Sequence, residues 1–152
     1  MVSASIEILV KKVKTQDVQE WTRLRHKLWP GTKQSHASEV RALVGKPGFV
    51  AFIAWQGHQP IGFSEAMVRP FANGCRERPV AFLEGLWVDS NFRQKGVGRK
   101  LVNAVEDWAI KKGFRELGSD AYLHASASHR AHLAYGFKEM ERVVYFRKSL
   151  SK

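Results

Sequence analysis

A single cysteine, Cys75, leaves nothing to close an intrachain disulfide and no basis for a thiolate metal cluster, which points to an intracellular chain and away from secretion. Proline is sparse, five in 152 residues, and falls singly where the periodicity changes, so there is no Pro-rich linker. No window approaches the roughly eighteen uninterrupted apolar residues of a spanning helix. Met1 to Val10 shows no basic stretch leading into an apolar one, so no signal peptide is legible and the chain is expected to be soluble and cytoplasmic, with no membrane partner. Acidic residues are also scarce, fourteen against twenty-five Lys and Arg, and the net charge of +11 predicts attraction to phosphate-bearing partners. With 44% hydrophobic residues, enough apolar material remains for one core, and residues 1–152 read as one domain.

The periodicities alternate between strand and helix. Ser5 to Val13 sets Ile6, Ile8 and Val10 against polar neighbours as a first strand, and Thr15 stands where it can cap a helix through Leu28. Val18, Trp21, Leu24 and Leu28 form one stripe on that helix, which Trp29-Pro30-Gly31 ends. Ser38 to Val44 reads as a short second helix. Gly48 to Trp55, Pro60 to Phe71 and Pro79 to Asp89 read as an antiparallel meander with Asn73-Gly74 in a turn. The second half predicts a helix over Gly98 to Lys112, a strand over Phe114 to Tyr122, a helix over Ser126 to Tyr135 and a last strand over Lys138 to Ser149. This order implies an α/β (α+β) fold whose mixed, mostly antiparallel sheet includes a parallel pair, with helices on both faces. Ligands of such sheets bind beyond the carboxyl ends of strands that part company, here Pro79 to Asp89 and Phe114 to Tyr122.

Between the third meander strand and the following helix lies Asp89-Ser90-Asn91-Phe92-Arg93-Gln94-Lys95-Gly96-Val97-Gly98-Arg99-Lys100. Two glycines let backbone approach a phosphate, the helix start offers unpaired N–H groups, and Arg93 and Lys95 add positive charge. A solvated basic turn is the plain alternative; the flanking strand and amphipathic helix favour a pyrophosphate site. Glu84 is the second notable feature, a carboxylate inside the otherwise apolar run Val80 to Val88.

Arg93-x-x-Gly96-x-Gly98 after an apolar strand resembles the coenzyme A signature of the GCN5-related N-acetyltransferases. Leu24-Arg25-x-x-Leu28-Trp29-Pro30-Gly31, Asn73-Gly74-Cys75, Phe82-Leu83-Glu84-Gly85, Phe92-Arg93-Gln94, Ser119-Asp120, Gly136-Phe137 and Glu141-Arg142-Val143 are together similar to the aminoglycoside 6'-N-acetyltransferases within them. The resemblance runs from the first helix to the last strand. It implies acetyl transfer from acetyl-CoA to an aminoglycoside 6'-amine by direct attack of the amine on the thioester, conferring resistance, with no metal. It also implies a cofactor site at Leu86, Trp87, Val88, Arg93, Gln94, Lys95, Gly96, Val97, Gly98 and Arg99, where pantetheine adds to the open strand edge and backbone N–H groups near Leu86 polarise the carbonyl.

For the acceptor, the resemblance implies Trp29 and Phe71 as aromatic walls and Glu84, Asp120 and Glu141 as carboxylates. Phe71 stands where relatives often carry Tyr. Glu84 either accepts the ammonium proton or grips the ammonium. A Tyr commonly protonates the departing thiolate four residues before Gly-Phe, but His132 stands there in this chain, with Tyr135, Tyr122 or solvent as substitutes. Ala125 replaces an Asn that often orients the cofactor arm. His124, His129 and His132 lack an acidic or cysteine ligand at metal spacing, and Cys75 lacks a local His pair, so neither reads as a metal centre or nucleophile. The last strand allows a homodimer. Two other readings stand beside this one. The first is the same chemistry on a polyamine or protein amine; the second is a basic nucleic-acid-binding domain using Lys11, Lys12, Lys14, Lys111, Lys112 and Arg115, although no nucleic-acid motif is present.

Overall fold

The computed structural model describes residues 7–31 and 33–151. Along the chain these form β1 (Ile8–Lys12), α1 (Val18–Leu28), α2 (Lys33–Leu43), β2 (Phe49–Gln56), β3 (Gln59–Arg69), β4 (Val80–Val88), α3 (Val97–Lys111), β5 (Leu117–Ser119) and α4 (Ser126–Ala134), with short 3-10 turns before α1 and α3. The chain divides into two compact units, one ending at Asp120 and the other beginning at Ala121. Ser5 and Ile6 of the expected first strand lie outside the described residues.

The first unit is built on a sheet in the order β1-β2-β3-β4-β5, antiparallel except for β4 and β5, as the element order predicts. Successive side chains of β2 point to opposite faces and so supply two cores, while the register shift at Ala54/Trp55, which leaves Ile61 unpaired, lets β3 do the same. On one face Ala51, Ile53 and Phe63 pack with Trp21 and Leu24 of α1 and Val40 of α2. On the other, Ala54 and Ile61 pack with Val97 and Leu101 of α3. Helices therefore cover both faces.

Local chemistry sets the helix ends, and one expected cap is corrected. Thr15 does not cap α1; it begins the 3-10 turn Thr15–Asp17, and the Asp17 carboxylate accepts the Lys14 N–H at 2.8 Å because its side chain reaches back across that turn. The second helix also begins earlier than expected, at Lys33. α3 follows Gly96, whose φ of +79° places it in the left-handed region that favours glycine.

The strand expected over Phe114 to Tyr122 shortens to Leu117–Ser119, since only Ala81–Leu83 of β4 offer it partners. Its approach is held by reciprocal carboxylates. Glu116 accepts the Arg76 and Glu77 N–H groups at 2.9 and 2.7 Å, and Glu77 accepts those of Arg115 and Glu116 at 2.9 and 3.0 Å. The last expected strand does not form within the chain: residues 138–151 have no regular structure, and Tyr145 and Phe146 are 82% and 93% exposed. Alternation creates a strand-like sequence, but a strand also needs a neighbour to satisfy its backbone.

Leu101 is fully buried against the sheet. Leu101→Ala should lower unfolding stability by about 2–5 kcal/mol, read by chemical denaturation.

Candidate active site

Backbone geometry in β4 positions the site. Glu65 of β3 pairs with Gly85 and the next residue, Ala66, with Leu83, so Glu84 is the extra residue of a β-bulge. A bulge breaks the alternation of side chains and re-aims those around it. Glu84 thereby lines the α1–α2 side of the sheet, where Gly85 also meets the ring of Trp29: a Cβ on Gly85 would stand 2.4 Å from Trp29 Cη2. Only the missing side chain lets the indole lie there. Trp29 is further held by an edge-on contact to Phe63 at 6.1 Å, by the Arg25 guanidinium 5.2 Å from its ring centre, and by His36, whose Nε2–H donates to the Trp29 carbonyl at 2.6 Å.

Beside this ring is a cavity of about 380 Å³ lined by Arg25, Trp29, His36, Glu39, Glu65 and Glu84, with Leu43, Phe49 and Met67 as apolar wall. Three carboxyl groups and one guanidinium line it, a local concentration of acidic groups on a chain of net charge +11. Both oxygens of Glu84 accept hydrogen bonds from Arg69, at 2.7 and 2.6 Å, and the Arg69 guanidinium lies 3.6 Å from the Phe82 ring centre. Glu65 is 2% exposed, accepts the Trp21 indole N–H at 2.7 Å and faces Arg25 Nε at 2.7 Å, an ion-pair distance without hydrogen-bond alignment. Burial pushes its carboxyl up to about 7, against the opposing pull of Arg25 and of the Trp21 hydrogen bond.

On the opposite edge of the same bulge, β4 and β5 separate. Their pairing ends at Leu83 and Ser119, and among the described residues no strand continues along that edge past Leu86, Trp87 and Val88. Arg93 folds back so that its Nε–H donates to the Val88 carbonyl at 3.0 Å, while Gln94 at φ +60° and Gly96 at φ +79° turn the backbone into α3. Lys95 and Arg99 are exposed; Val97 and Gly98 are buried at the helix start. The loop thus joins an open strand edge to a helix N-terminus, a geometry that suits a phosphate-bearing arm.

The remaining expected residues are more scattered. Phe71 is exposed after β3, with Arg78 5.8 Å from its ring, and Asp120 is exposed after β5. In the second unit, His132 Nδ1–H donates to the Ser128 carbonyl at 2.7 Å and its ring meets Phe137 edge-on at 5.2 Å, while Glu141 is exposed. His129 Nε2 is 2.9 Å from the Tyr122 carbonyl, and Tyr122 stacks on His124. Burial, with Glu116 and Glu77 nearby, pushes the Cys75 thiol up, which disfavours a thiolate nucleophile. Sequence reasoning did not single out Glu65, His36, Glu39 or Arg69. Glu65 carries the same signal as Glu84, a carboxylate inside an apolar strand, and that criterion applied evenly would have found it.

A family model described as "Acetyltransferase (GNAT) family" matches residues 16–137. The chain belongs to the GNAT acetyltransferase family. This GNAT chain is 43% identical over 147 residues to an aminoglycoside N(6')-acetyltransferase type 1 of Klebsiella aerogenes, covering 93% of the chain and 97% of that protein. Its fold is similar to aminoglycoside N-acetyltransferase AAC(6')-Iy in complex with CoA, at a TM-score of 0.93 and 35% identity, covering 99% of this chain and all of that one. It is also similar to AAC(6')-Iy in complex with the bisubstrate analogue CoA-S-monomethyl-acetylneamine, at a TM-score of 0.90 and 36% identity, covering 95% and 99% of the two chains.

The Glu65 environment gives a pH signature. With its ordinary value of 4.5 raised to about 7, the folded chain retains a proton that the unfolded chain releases. The group's stabilising contribution is complete below about pH 4.5 and is lost as pH rises through 7, a change on the order of 3 kcal/mol. Stability curves for wild type and Glu65→Gln should therefore draw apart in that window, the wild type losing ground as pH rises.

Proposed function

We propose that this GNAT enzyme transfers the acetyl group of acetyl-CoA to the 6'-amine of aminoglycosides, and so confers resistance, acting as a single domain over residues 1–152. The observation that carries the substrate class is the carboxylate-lined cavity with Trp29 on one wall, beside the opened edge of β4. Carboxylates match ammonium groups, and an indole offers a flat apolar surface to a sugar ring. The relatives named above support the same acceptor.

In this reading the cosubstrate brings an activated acetyl group, and the chain supplies binding, orientation and proton management. The loop Arg93–Arg99, with Gln94, Lys95, Gly96, Val97 and Gly98 between, takes the diphosphate. The backbone of Leu86–Val88 takes the pantetheine arm and polarises the thioester carbonyl. Glu84 holds the acceptor ammonium: with both oxygens already fixed by Arg69, its remaining lone pairs accept N–H donors in a set direction. Phe71 and Asp120 extend the acceptor site, and His132 is the proton donor to the departing thiolate. The pool of acetyl-CoA used is cytoplasmic; among the described residues, no helix is long and apolar enough to cross a membrane.

The strand-like segment 138–149, which has no strand partner among the described residues and exposes Tyr145 and Phe146, supports a homodimer, in which it pairs with a second copy and brings Glu141 to an acceptor site. Sedimentation of wild type should give a dimer, and deletion from residue 143 onward a monomer.

Neomycin carries a 6'-amine where paromomycin carries a hydroxyl. Acetyl-CoA consumption with neomycin and none with paromomycin is the expected result; equal turnover of both, or of neither, refutes the acceptor. Glu84→Gln should raise the acceptor KM roughly 10- to 100-fold with a smaller change in kcat. A kcat loss on the order of 10²–10⁴ would instead make Glu84 the general base.

A further inference from the structure

Arg25 is a buried cation, 7% exposed, to which the acetyl transfer described above gives no task. It stands on α1 four residues after Trp21 and four before Trp29, a spacing that puts the three side chains along one helix face. Its guanidinium carbon stands over both rings, 5.9 Å from the Trp21 centre and 5.2 Å from that of Trp29. The two indoles have different surroundings. Trp21 is fully buried in the core, and its N–H is fixed on Glu65 at 2.7 Å. Trp29 is half-buried at the cavity and lies where α1 ends, at φ −119° and ψ 87°. Arg25 therefore links a ring held by the core to a ring that faces the acceptor.

Carboxyl groups from two other elements clamp that link. Glu39 of α2 accepts from Arg25 Nη1 at 2.9 Å, and Glu65 of β3 faces Nε at 2.7 Å without hydrogen-bond alignment. A guanidinium placed only as an ion-pair partner would present aligned N–H pairs to its carboxylates. Here Nε forgoes that alignment while the group stands over two indoles. The backbone adds a further tie, since the Trp29 N–H donates to the Arg25 carbonyl at 2.8 Å. Past Trp29 no further turn of α1 follows, so the direction of its indole depends on these contacts.

We propose that Arg25 is a positioning residue for the acceptor: it fixes the Trp29 indole as the flat surface on which the sugar ring rests, with Glu39 and Glu65 holding the guanidinium in place. The proposal rests on the aminoglycoside reading above and deepens it. Arg25 acts through Trp29 and not on the reacting amine or the thioester. Lysine is no substitute, because a point charge on a flexible stem cannot span two carboxyl groups and stand over two rings at once.

The test measures acetyl-CoA consumption with neomycin as acceptor. Arg25→Lys keeps a charge beside the two carboxyl groups, and thermal melting checks that it folds. Its KM for neomycin should rise roughly three- to tenfold, with a smaller change in kcat and none in the KM for acetyl-CoA. That rise should depend on the indole. Trp29→Leu alone should raise the neomycin KM, and adding Arg25→Lys to it should change that KM by less than about twofold. If Arg25→Lys melts below the assay temperature, Glu39→Gln decides, at a largely exposed residue. It releases the outer clamp and should raise the neomycin KM roughly two- to threefold with Trp29 present, and leave it unchanged beside Trp29→Leu. An unchanged neomycin KM overturns the positioning role, as does a rise that persists beside Trp29→Leu or an equal rise in the KM for acetyl-CoA. With wild type active on neomycin, those results remove the role of Arg25 alone. If wild type consumes no acetyl-CoA with neomycin, the aminoglycoside reading itself fails and the role falls with it.

Discussion

The site depends on one extra residue in β4. An unbulged β4 would alternate its side chains, placing Glu84 and Gly85 on opposite faces. With Glu84 inserted, carboxylate and bare backbone come to the same side, and the Trp29 indole rests on the glycine next to the acid. The same irregularity coincides with the end of β4–β5 pairing, so one backbone feature accompanies both the cavity wall at Trp29 and the open edge. The proposed acceptor and acyl-donor sites thus lie on either side of a single strand, which suits the approximation that the proposed direct transfer requires.

Charge is the second constraint. A chain of net charge +11 repels polycations at long range, yet its cavity gathers three carboxyl groups, with Arg25 and Arg69 as their paired cations. Close contacts in a partly dry cavity outweigh exposed charges, which salt screens beyond about 10 Å. Burying acids carries a desolvation cost, visible in the raised Glu65 carboxyl. Arg25 and Arg69 offset part of that cost and fix the carboxylates they touch. Arg25 also reaches the Trp29 ring, so the electrostatic support and the aromatic wall share one buried side chain.

Much of this was legible in the sequence because the signals are local. Helix α1 is written in the Val18, Trp21, Leu24, Leu28 stripe, the turn into α3 in its glycines, and Glu84 in its contradiction with the apolar residues around it. The mixed sheet followed from element order and the chirality of crossovers. Local pattern erred where it had no access to a partner. Residues 138–149 read like a strand yet take no regular structure, and β5 runs only as far as β4 pairs with it.

What the sequence determined by itself, then, is the kind of element each segment favours and the presence of a cationic turn and an out-of-place acid, since backbone propensity and apolar period act within a few residues. Tertiary structure alone decided which distant side chains share a volume. Arg25 meets Glu39 and Glu65, Trp29 lies on Gly85, and His36 lines the same cavity while holding the Trp29 carbonyl. Those contacts arise because the bulge and the packing of α1 and α2 onto one sheet face bring together residues that no sequence period relates.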